Sequence, residues 1–90
     1  MVKLFPANRL GPAYVRDLKA PLSSIPLLAT GGITPESLPE YRRAGADGFG
    51  LGNPLLEPDR LNAGDWEWLR ARATHFCTVW RNSCDAAQKL

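Results

Sequence analysis

Short apolar runs alternate with longer stretches of helical periodicity along the chain. Residues 2–5, 25–29 and 47–51 form the apolar runs, and their lengths and bounding prolines and glycines predict three buried strands. Residues 12–19, 34–44 and 65–88 have apolar side chains at three- and four-residue steps, which predicts three helices. The order is β-α-β-α-β-α, an α/β pattern that requires parallel strands joined by right-handed helical crossovers.

Proline and glycine positions indicate where these helices begin and end. Pro12 suits a first helical position, and Thr34 followed by Pro35 is typical of an N-cap and a first helical residue. Gly45 stands where a left-handed C-cap is expected, whereas Pro39 lacks an N–H and is expected to bend this helix or delay its start. The apolar stripe of the last helix consists of Trp66, Leu69, Ala73, Phe76, Trp80 and Ala87.

This pattern predicts part of a larger α/β domain. Three parallel strands cannot close a barrel, and both edges of the sheet would be left unpaired. A complete (β/α)8 barrel has about 200 residues or more, whereas this chain has 90. We therefore expect residues 1–90 to form a partial barrel domain that ends in the long helix 65–88.

Composition and charge exclude several classes of partner. A net charge of +2 with scattered basic residues does not indicate nucleic-acid binding. No apolar stretch approaches the ~20 residues that span a bilayer, and residues 1–6 do not have the pattern of a secretory signal. We therefore expect a cytoplasmic protein with neither a membrane nor a nucleic acid as partner.

The metal-binding and thiol side chains favour a structural interpretation. Cys77 and Cys84 would lie two helical turns apart, about 10 Å, which is too far for a disulfide, so we expect reduced, packed thiols. His75 is the single histidine and there is no CxxC pair, so no metal site is predicted. We expect His75 to be a packed or an exposed side chain and not a catalytic one. Trp68 falls outside the apolar stripe and is expected to be exposed or to contact another subunit.

Lys3 is a candidate nucleophile in the first strand. Strand alternation places Lys3 on the opposite face from Val2 and Leu4, so Lys3 points towards the inside of the sheet if those two pack against helices. Burial there would favour the neutral amine, which attacks carbonyl carbon. A lysine that extends from a strand end to solvent is the alternative, and the strand pattern alone favours it.

Two glycine-rich turns follow the second and third strands and suggest a phosphate site. Thr30 precedes Gly31 and Gly32 in the first turn, and Gly52 and Asn53 lie in the second. Glycine lets backbone N–H groups approach an anion closely, and the last two loops of a barrel commonly bind phosphate. Glycine at such turns is also common for steric reasons alone.

Five motifs follow one another along the chain: Lys3-Leu4-Phe5-Pro6-Ala7, Gly11-Pro12, Thr30-Gly31-Gly32-Ile33, Ala44-Gly45-Ala46 and Gly50-Leu51-Gly52. In this order and spacing they resemble the Schiff-base (class I) aldolases that act on 2-keto-3-deoxy-6-phosphogluconate, its galactonate epimer or 4-hydroxy-2-oxoglutarate. The resemblance covers residues 1 to about 65 and implies the last three β/α units of a (β/α)8 TIM barrel.

The resemblance implies a lyase that needs no metal or cofactor and cleaves its substrate to pyruvate and an aldehyde. Lys3 matches the imine-forming lysine, Phe5 a residue of the pyruvate pocket and Thr30 a position near the substrate hydroxyls. The phosphate loops are matched by Gly31, Gly32, Gly52 and Asn53, with Asn53 in place of a common serine. The expected partners are pyruvate, a phosphorylated keto acid and further copies of the chain, as a homotrimer in the resembling family.

Several features leave alternatives open. Thr30 is more gluconate-like, whereas Gly11-Pro12 followed by Tyr14 is more galactonate-like, so the epimer is not determined. The family's catalytic glutamate, and the arginine and threonine that hold the pyruvate carboxylate, belong to β/α units that this chain does not contain, so impaired activity is expected. A non-catalytic fragment that binds phosphate or self-associates is the second hypothesis, and a fragment of another phosphate-binding barrel is the third.

Overall fold

The computed structural model describes residues 1–88, with side chains described as far as Ser83. Within these residues the protein has three strands, β1 (Val2–Leu4), β2 (Leu27–Thr30) and β3 (Gly48–Gly50). The helices are α1 (Ala7–Leu10), α2 (Pro12–Lys19), α3 (Leu38–Ala44), α4 (Pro58–Asn62) and α5 (Trp66–Gln88). The strands lie in the order β1-β2-β3, and both pairs are parallel, so the predicted α/β class with a parallel sheet is confirmed.

The two faces of the sheet have different surroundings. Leu27 and Ala29 of β2 are buried, and together with Leu4 and Phe49 of the neighbouring strands they pack against the helices. The register pairs Lys3 with Leu28, and Leu28 in turn with Gly48, so these residues share the opposite face. The buried core is therefore confined to the helical side of the sheet; it consists of Ala7, Val15, Leu27, Ala29, Ile33, Leu38, Tyr41, Ala44, Ala46 and Phe76.

Helix α3 begins later than the sequence predicts. Thr34 and Ser37 form a turn of their own, in which the Ser37 N–H donates to Thr34 Oγ1 at 3.1 Å and the Thr34 N–H donates to Ser37 Oγ at 3.0 Å. Pro39 is the second residue of α3 and has no N–H, so the helical ladder is not extended back to Pro35. The delay expected from Pro39 is confirmed, as is the left-handed C-cap at Gly45, whose φ is 119°.

Two short helices and the start of β2 differ from the sequence-based expectation. Helices α1 and α4 have four and five residues, too few to show a period in the sequence. Strand β2 begins at Leu27 rather than Ile25. Pro26 has no N–H to donate to the sheet, and only its carbonyl takes part, by accepting from the Val2 N–H at 2.8 Å.

Helix α5 packs through the middle of its length. Phe76 is buried, and Trp80 contacts Phe49 edge to face with ring centroids 5.4 Å apart. The Arg42 guanidinium stacks on the Trp80 ring at 3.3 Å. Trp66 was expected in the packed stripe but is 64% exposed, because α5 begins there, and Trp68 is instead half-buried beside Arg60 and Arg72. The side chain of Ala87 lies outside the described residues.

Asp47 connects β2 and α2 at the end of the sheet where the strands begin. Its carboxylate accepts hydrogen bonds from the Leu27 N–H at 2.9 Å and from Lys19 Nζ at 3.0 Å. The Leu27 N–H first, and Lys19 second, hold the pKa of this carboxyl below its ordinary value. Lys19 also donates to the Ile25 carbonyl at 3.0 Å, so the end of α2 is fixed against the start of β2.

Candidate active site at the carboxyl ends of the strands

An open pocket of about 600 Å³ lies where β2 and β3 end. It contains six of the seven residues that the sequence suggests for a site, all except Lys3. Because parallel strands present their carboxyl ends at one edge, the loops after β1, β2 and β3 meet here. The lining residues are Phe5, Asn8, Thr30, Gly31, Gly32, Gly52, Asn53 and Pro54.

The loop after β2 is shaped by two consecutive glycines. Gly31 and Gly32 have φ of +109° and +66°, in the region that side chains disfavour. A Cβ at Gly31 would come within 3.1 Å of the Phe5 ring, and one at Gly32 would overlap the Asn8 amide. Glycine is therefore required here both by backbone conformation and by the close approach of α1.

Asn8 is a pocket residue that no sequence motif indicated. It reaches the pocket because α1 turns it towards the β2 loop, where its backbone N–H donates to the Gly31 carbonyl at 3.0 Å. The preceding residue, Ala7, accepts a buried hydrogen bond from the Tyr41 hydroxyl at 2.8 Å. Burial raises the pKa of Tyr41, with a smaller effect from Glu40, so the phenol stays protonated as a donor. Helix α3 thereby positions α1 against the pocket.

The loop after β3 is held from α5. The Gly52 carbonyl accepts from the N–H groups of Leu55 and Leu56 at 2.9 and 2.7 Å, which closes a turn. Arg72 of α5 donates from Nε to the Pro54 carbonyl at 2.8 Å. Within the part of the chain that the structure describes, the backbone N–H groups of Gly32, Gly52 and Asn53 donate to no protein acceptor. They are thus available to an anion.

Lys3 lies beside this pocket but outside its lining. It shares the non-helical face of the sheet with Leu28 and Thr30, as strand alternation predicts, and its Nζ lies 5.7 Å from the centroid of the Phe5 ring. Its side chain is exposed, so the burial that was expected to favour a neutral amine is not provided by these residues. Phe5 is itself 65% exposed.

Thr30 supplies the one hydroxyl among the pocket-lining residues. Its Oγ1 is inaccessible to solvent and has no hydrogen-bond partner in the described part of the chain. None of the described residues that line the pocket is charged, so the polarity that they give it comes from this hydroxyl, two asparagine amides and backbone groups. Such a site suits a ligand with phosphate and hydroxyl oxygens, with Lys3 as the nearby amine.

Cys77 and His75 lie apart from this site. Cys77 is exposed and borders a second, apolar pocket of about 630 Å³ between β3 and α5. The prediction that its thiol is packed is therefore wrong. Cys84 has a side chain outside the described residues, and His75 is exposed. Among the residues described, no three His, Cys, Asp or Glu side chains are grouped for a metal, and no helix is long and apolar enough to cross a membrane.

Comparison with known proteins identifies the family. The family model "KDPG and KHG aldolase" matches residues 1–71, which includes β1 to β3 and both pocket loops. The chain belongs to this aldolase family. It is 47% identical over 55 residues to 2-dehydro-3-deoxy-6-phosphogalactonate aldolase of Escherichia coli (strain K12), a match that covers 60% of this chain and 27% of that protein.

Further relatives agree with this assignment. A probable 2-dehydro-3-deoxy-6-phosphogalactonate aldolase of Rhizobium meliloti (strain 1021) is 36% identical over 73 residues, covering 80% of the chain and 32% of that protein. The solved "Native KDPGal structure" superposes on 92% of the chain with a TM-score of 0.83 and 36% identity, covering 39% of that structure. A designed cube-shaped cage of fused symmetric oligomeric domains matches 97% of the chain with a TM-score of 0.81 and 33% identity, covering 31% of its own chain. The chain thus spans between about a quarter and a third of the length of these curated aldolase relatives.

Proposed function

We propose that this chain contains the imine lysine and the phosphate loops of a class I aldolase. The reaction is the cleavage of a 2-keto-3-deoxy-6-phospho sugar acid, or of 4-hydroxy-2-oxoglutarate, to pyruvate and an aldehyde. Lys3 is the proposed nucleophile, Phe5 and Thr30 contact the substrate, and the phosphate binds at the two glycine loops. In this proposal, β1 to β3 are the last three strands of a (β/α)8 barrel.

The observation that carries the proposal is the convergence of the two glycine loops on one pocket beside Lys3. Gly32 and the pair Gly52 and Asn53 come from different loops, yet all three residues line the same pocket, and their N–H groups have no acceptor among the described residues. Phe5 connects this volume to Lys3, because its ring lines the pocket and lies 5.7 Å from Nζ. A keto acid with its carbonyl at Lys3 and its phosphate at the loops would thus lie across Phe5 and Thr30.

The chemistry follows from the amine and the electron demand of its imine. Lys3 Nζ attacks the C2 carbonyl and water leaves, forming an iminium ion. The iminium accepts the electron pair of the breaking C3–C4 bond as the C4 hydroxyl loses its proton, giving an aldehyde and an enamine. Protonation of the enamine and addition of water then release pyruvate and restore the amine.

Proton transfer is the step for which the pocket has no residue. None of the side chains that line it, in the part of the chain that the structure describes, is an acid or a histidine. Positioned acid–base catalysis typically contributes ~10²–10⁴-fold, so we propose that this chain by itself cleaves substrate at a correspondingly lower rate. Imine formation depends less on a positioned acid–base residue than C3–C4 cleavage does, so it is the better test.

The test is reductive trapping with pyruvate and borohydride, followed by mass spectrometry of the intact chain and of its peptides. We expect one adduct, on Lys3. Fragmentation of the peptide is needed to localise it, because the Met1 amine lies on the same tryptic peptide. Lys19 serves as an internal control, since it is engaged by Asp47 and two carbonyls. Equal labelling of Lys3 and Lys19, or an adduct that persists in Lys3→Ala, would contradict the proposal.

A second candidate is a non-catalytic fragment that binds phosphate or self-associates. The observation that favours it is that the outer edges of β1 and β3 have no strand partner among the described residues. Val2 of β1 is 52% exposed, and β3 borders the apolar pocket. This candidate predicts an oligomer that grows with concentration, and phosphate binding that survives Lys3→Ala. Trapping at Lys3 distinguishes the two functions. A labelled Lys3 decides for the first, whereas a chain that binds phosphate or self-associates but is not labelled at Lys3 decides for the second.

A further inference from the structure

Gly50 of β3 lies directly beside Thr30 of β2 in the parallel register. A Cβ built on Gly50 would lie 2.5 Å from Thr30 Oγ1, 3.0 Å from Cγ2 and 3.3 Å from Cβ. Both branches of the threonine side chain therefore pass close over the Gly50 backbone. Since threonine is stiff about χ1, no small rotation relieves both contacts. Any larger residue at position 50 must displace the Thr30 side chain.

The Thr30 hydroxyl is in turn a group that requires a partner. Its Oγ1 is buried and forms no hydrogen bond within the described residues, although Thr30 lines the pocket. A buried hydroxyl without a partner is unfavourable. Because Oγ1 is closed off from solvent, an oxygen that enters the pocket reaches it with a small shift of the adjoining glycine loop, and the hydrogen bond then removes that cost. Gly50 does not itself line the pocket, so its influence on a ligand passes through Thr30.

We propose that Gly50 is a positioning residue that sets the ligand specificity of the pocket by fixing the Thr30 hydroxyl. The absence of a side chain at Gly50 leaves Thr30 Oγ1 where it binds a hydroxyl or carbonyl oxygen of a phosphorylated sugar acid. This inference rests on the proposed function for the identity of the pocket, and it extends that function to a residue outside the lining.

Gly48 provides a matched control on the same strand and face. Its Cβ would meet Leu28 Cδ1 at 3.0 Å and the Met1 side chain at 3.7 and 3.8 Å. These are the ends of flexible side chains that move at little cost, and neither residue lines the pocket. Gly48→Ala therefore adds the same methyl group to β3 without touching Thr30.

The test uses 6-phosphogluconate as probe, because it carries phosphate and hydroxyl groups but no keto group and so forms no imine. Binding is followed by the amide shifts of Gly52 and Asn53 in the full chain. We expect Gly50→Ala and Thr30→Val each to weaken binding about 3–10-fold, the loss of one hydrogen bond, and Gly48→Ala to change it by less than twofold.

A double variant distinguishes a loss of binding through Thr30 from a loss caused by poorer folding of the Gly50→Ala chain. Thr30→Ala removes Oγ1 and Cγ2, the two atoms nearest to a methyl group at position 50, and leaves only Cβ at 3.3 Å. Gly50→Ala should therefore weaken binding no further in that background. Binding by Thr30→Val equal to that of the parent chain would overturn the inference. So would a Gly50→Ala chain that melts earlier yet binds normally, or a parent chain that does not bind the probe.

The result that would refute the proposed function differs from the result that would refute the role of Gly50. A chain that binds 6-phosphogluconate through Thr30 but traps no pyruvate on Lys3 would retain the role of Gly50 and refute the aldolase chemistry. A chain that traps pyruvate but binds the probe equally well in all variants would refute only the role of Gly50.

Discussion

Asp47→Ala removes the carboxylate that joins α2, β2 and β3 at the end of the sheet away from the pocket. The substitution deletes two interactions, with the Leu27 N–H at 2.9 Å and with Lys19 Nζ at 3.0 Å. Hydrogen bonds to charged groups contribute roughly 1.5–3 kcal/mol and exposed ion pairs ~0.2–1 kcal/mol. The Asp47 side chain is 43% exposed, so solvent screening reduces both. We expect the free energy of unfolding to fall by about 1–2 kcal/mol.

The effect should depend on pH in one direction. The pKa of Asp47 is lowered in the folded protein, so the charged carboxylate stabilises the fold fully above the ordinary aspartate value of about 4. This contribution is lost as the pH falls through the lower, folded value. The stability difference between the parent chain and Asp47→Ala should therefore be largest at neutral pH and shrink as the pH falls below about 4.

Urea unfolding followed by tryptophan fluorescence at pH 7 and pH 3 measures this difference. Asp47→Asn keeps an oxygen that accepts from Leu27 but loses the charge, so it should lie between the two chains at pH 7. Asp17→Ala is the control, because Asp17 is exposed and has no hydrogen bond or ion pair among the described residues. Equal losses for Asp47→Ala and Asp17→Ala, or a difference unchanged at pH 3, would refute this account of the sheet end.

Two further substitutions test how the helices hold the pocket. Tyr41→Phe removes the donor to the Ala7 carbonyl, which still accepts from Gly11, so we expect a loss of about 0.5–1.5 kcal/mol in urea unfolding; no loss would show that α1 is held by packing alone. Arg72→Gln removes the Nε donor to Pro54, and we expect faster amide exchange at Leu55 and Leu56; exchange equal to that of Arg70→Gln, an exposed arginine on the same helix, would contradict the anchor.

Local chemistry explains which parts of the fold were predictable. Helix α2 was placed correctly because Pro12 and the apolar period agree, and the cap at Gly45 because glycine has few competing roles there. Helix α3 was predicted to begin too early because Thr34 and Pro35 are typical of a helix start, whereas the hydrogen bonds between Thr34 and Ser37 close a separate turn. Exposed Trp66 illustrates that periodicity indicates a face but not how far the core extends along it.

The site was predictable where backbone geometry alone defines it. Consecutive glycines after β2 and the turn after β3 both reach the pocket, since parallel strands direct their loops to one edge. Asn8 was not predictable, because it enters only through the short helix α1 and a contact over Gly32. The exposure of Lys3 depends on which strands surround it, and strand alternation defines its face but not its solvation.

If Lys3 and the glycine loops form one site, phosphate on a keto acid should promote its trapping on Lys3. Borohydride trapping on Lys3 is measured across a concentration series of 2-keto-3-deoxy-6-phosphogluconate and of the same keto acid without phosphate. We expect half-maximal labelling at a lower concentration for the phosphorylated ligand. We also expect that Asn53→Asp, which adds a negative charge at the loop, removes this advantage, whereas Asn82→Asp on the exposed face of α5 retains it. Equal labelling by both ligands, or an advantage that survives Asn53→Asp, would contradict a single site formed by Lys3 and the glycine loops.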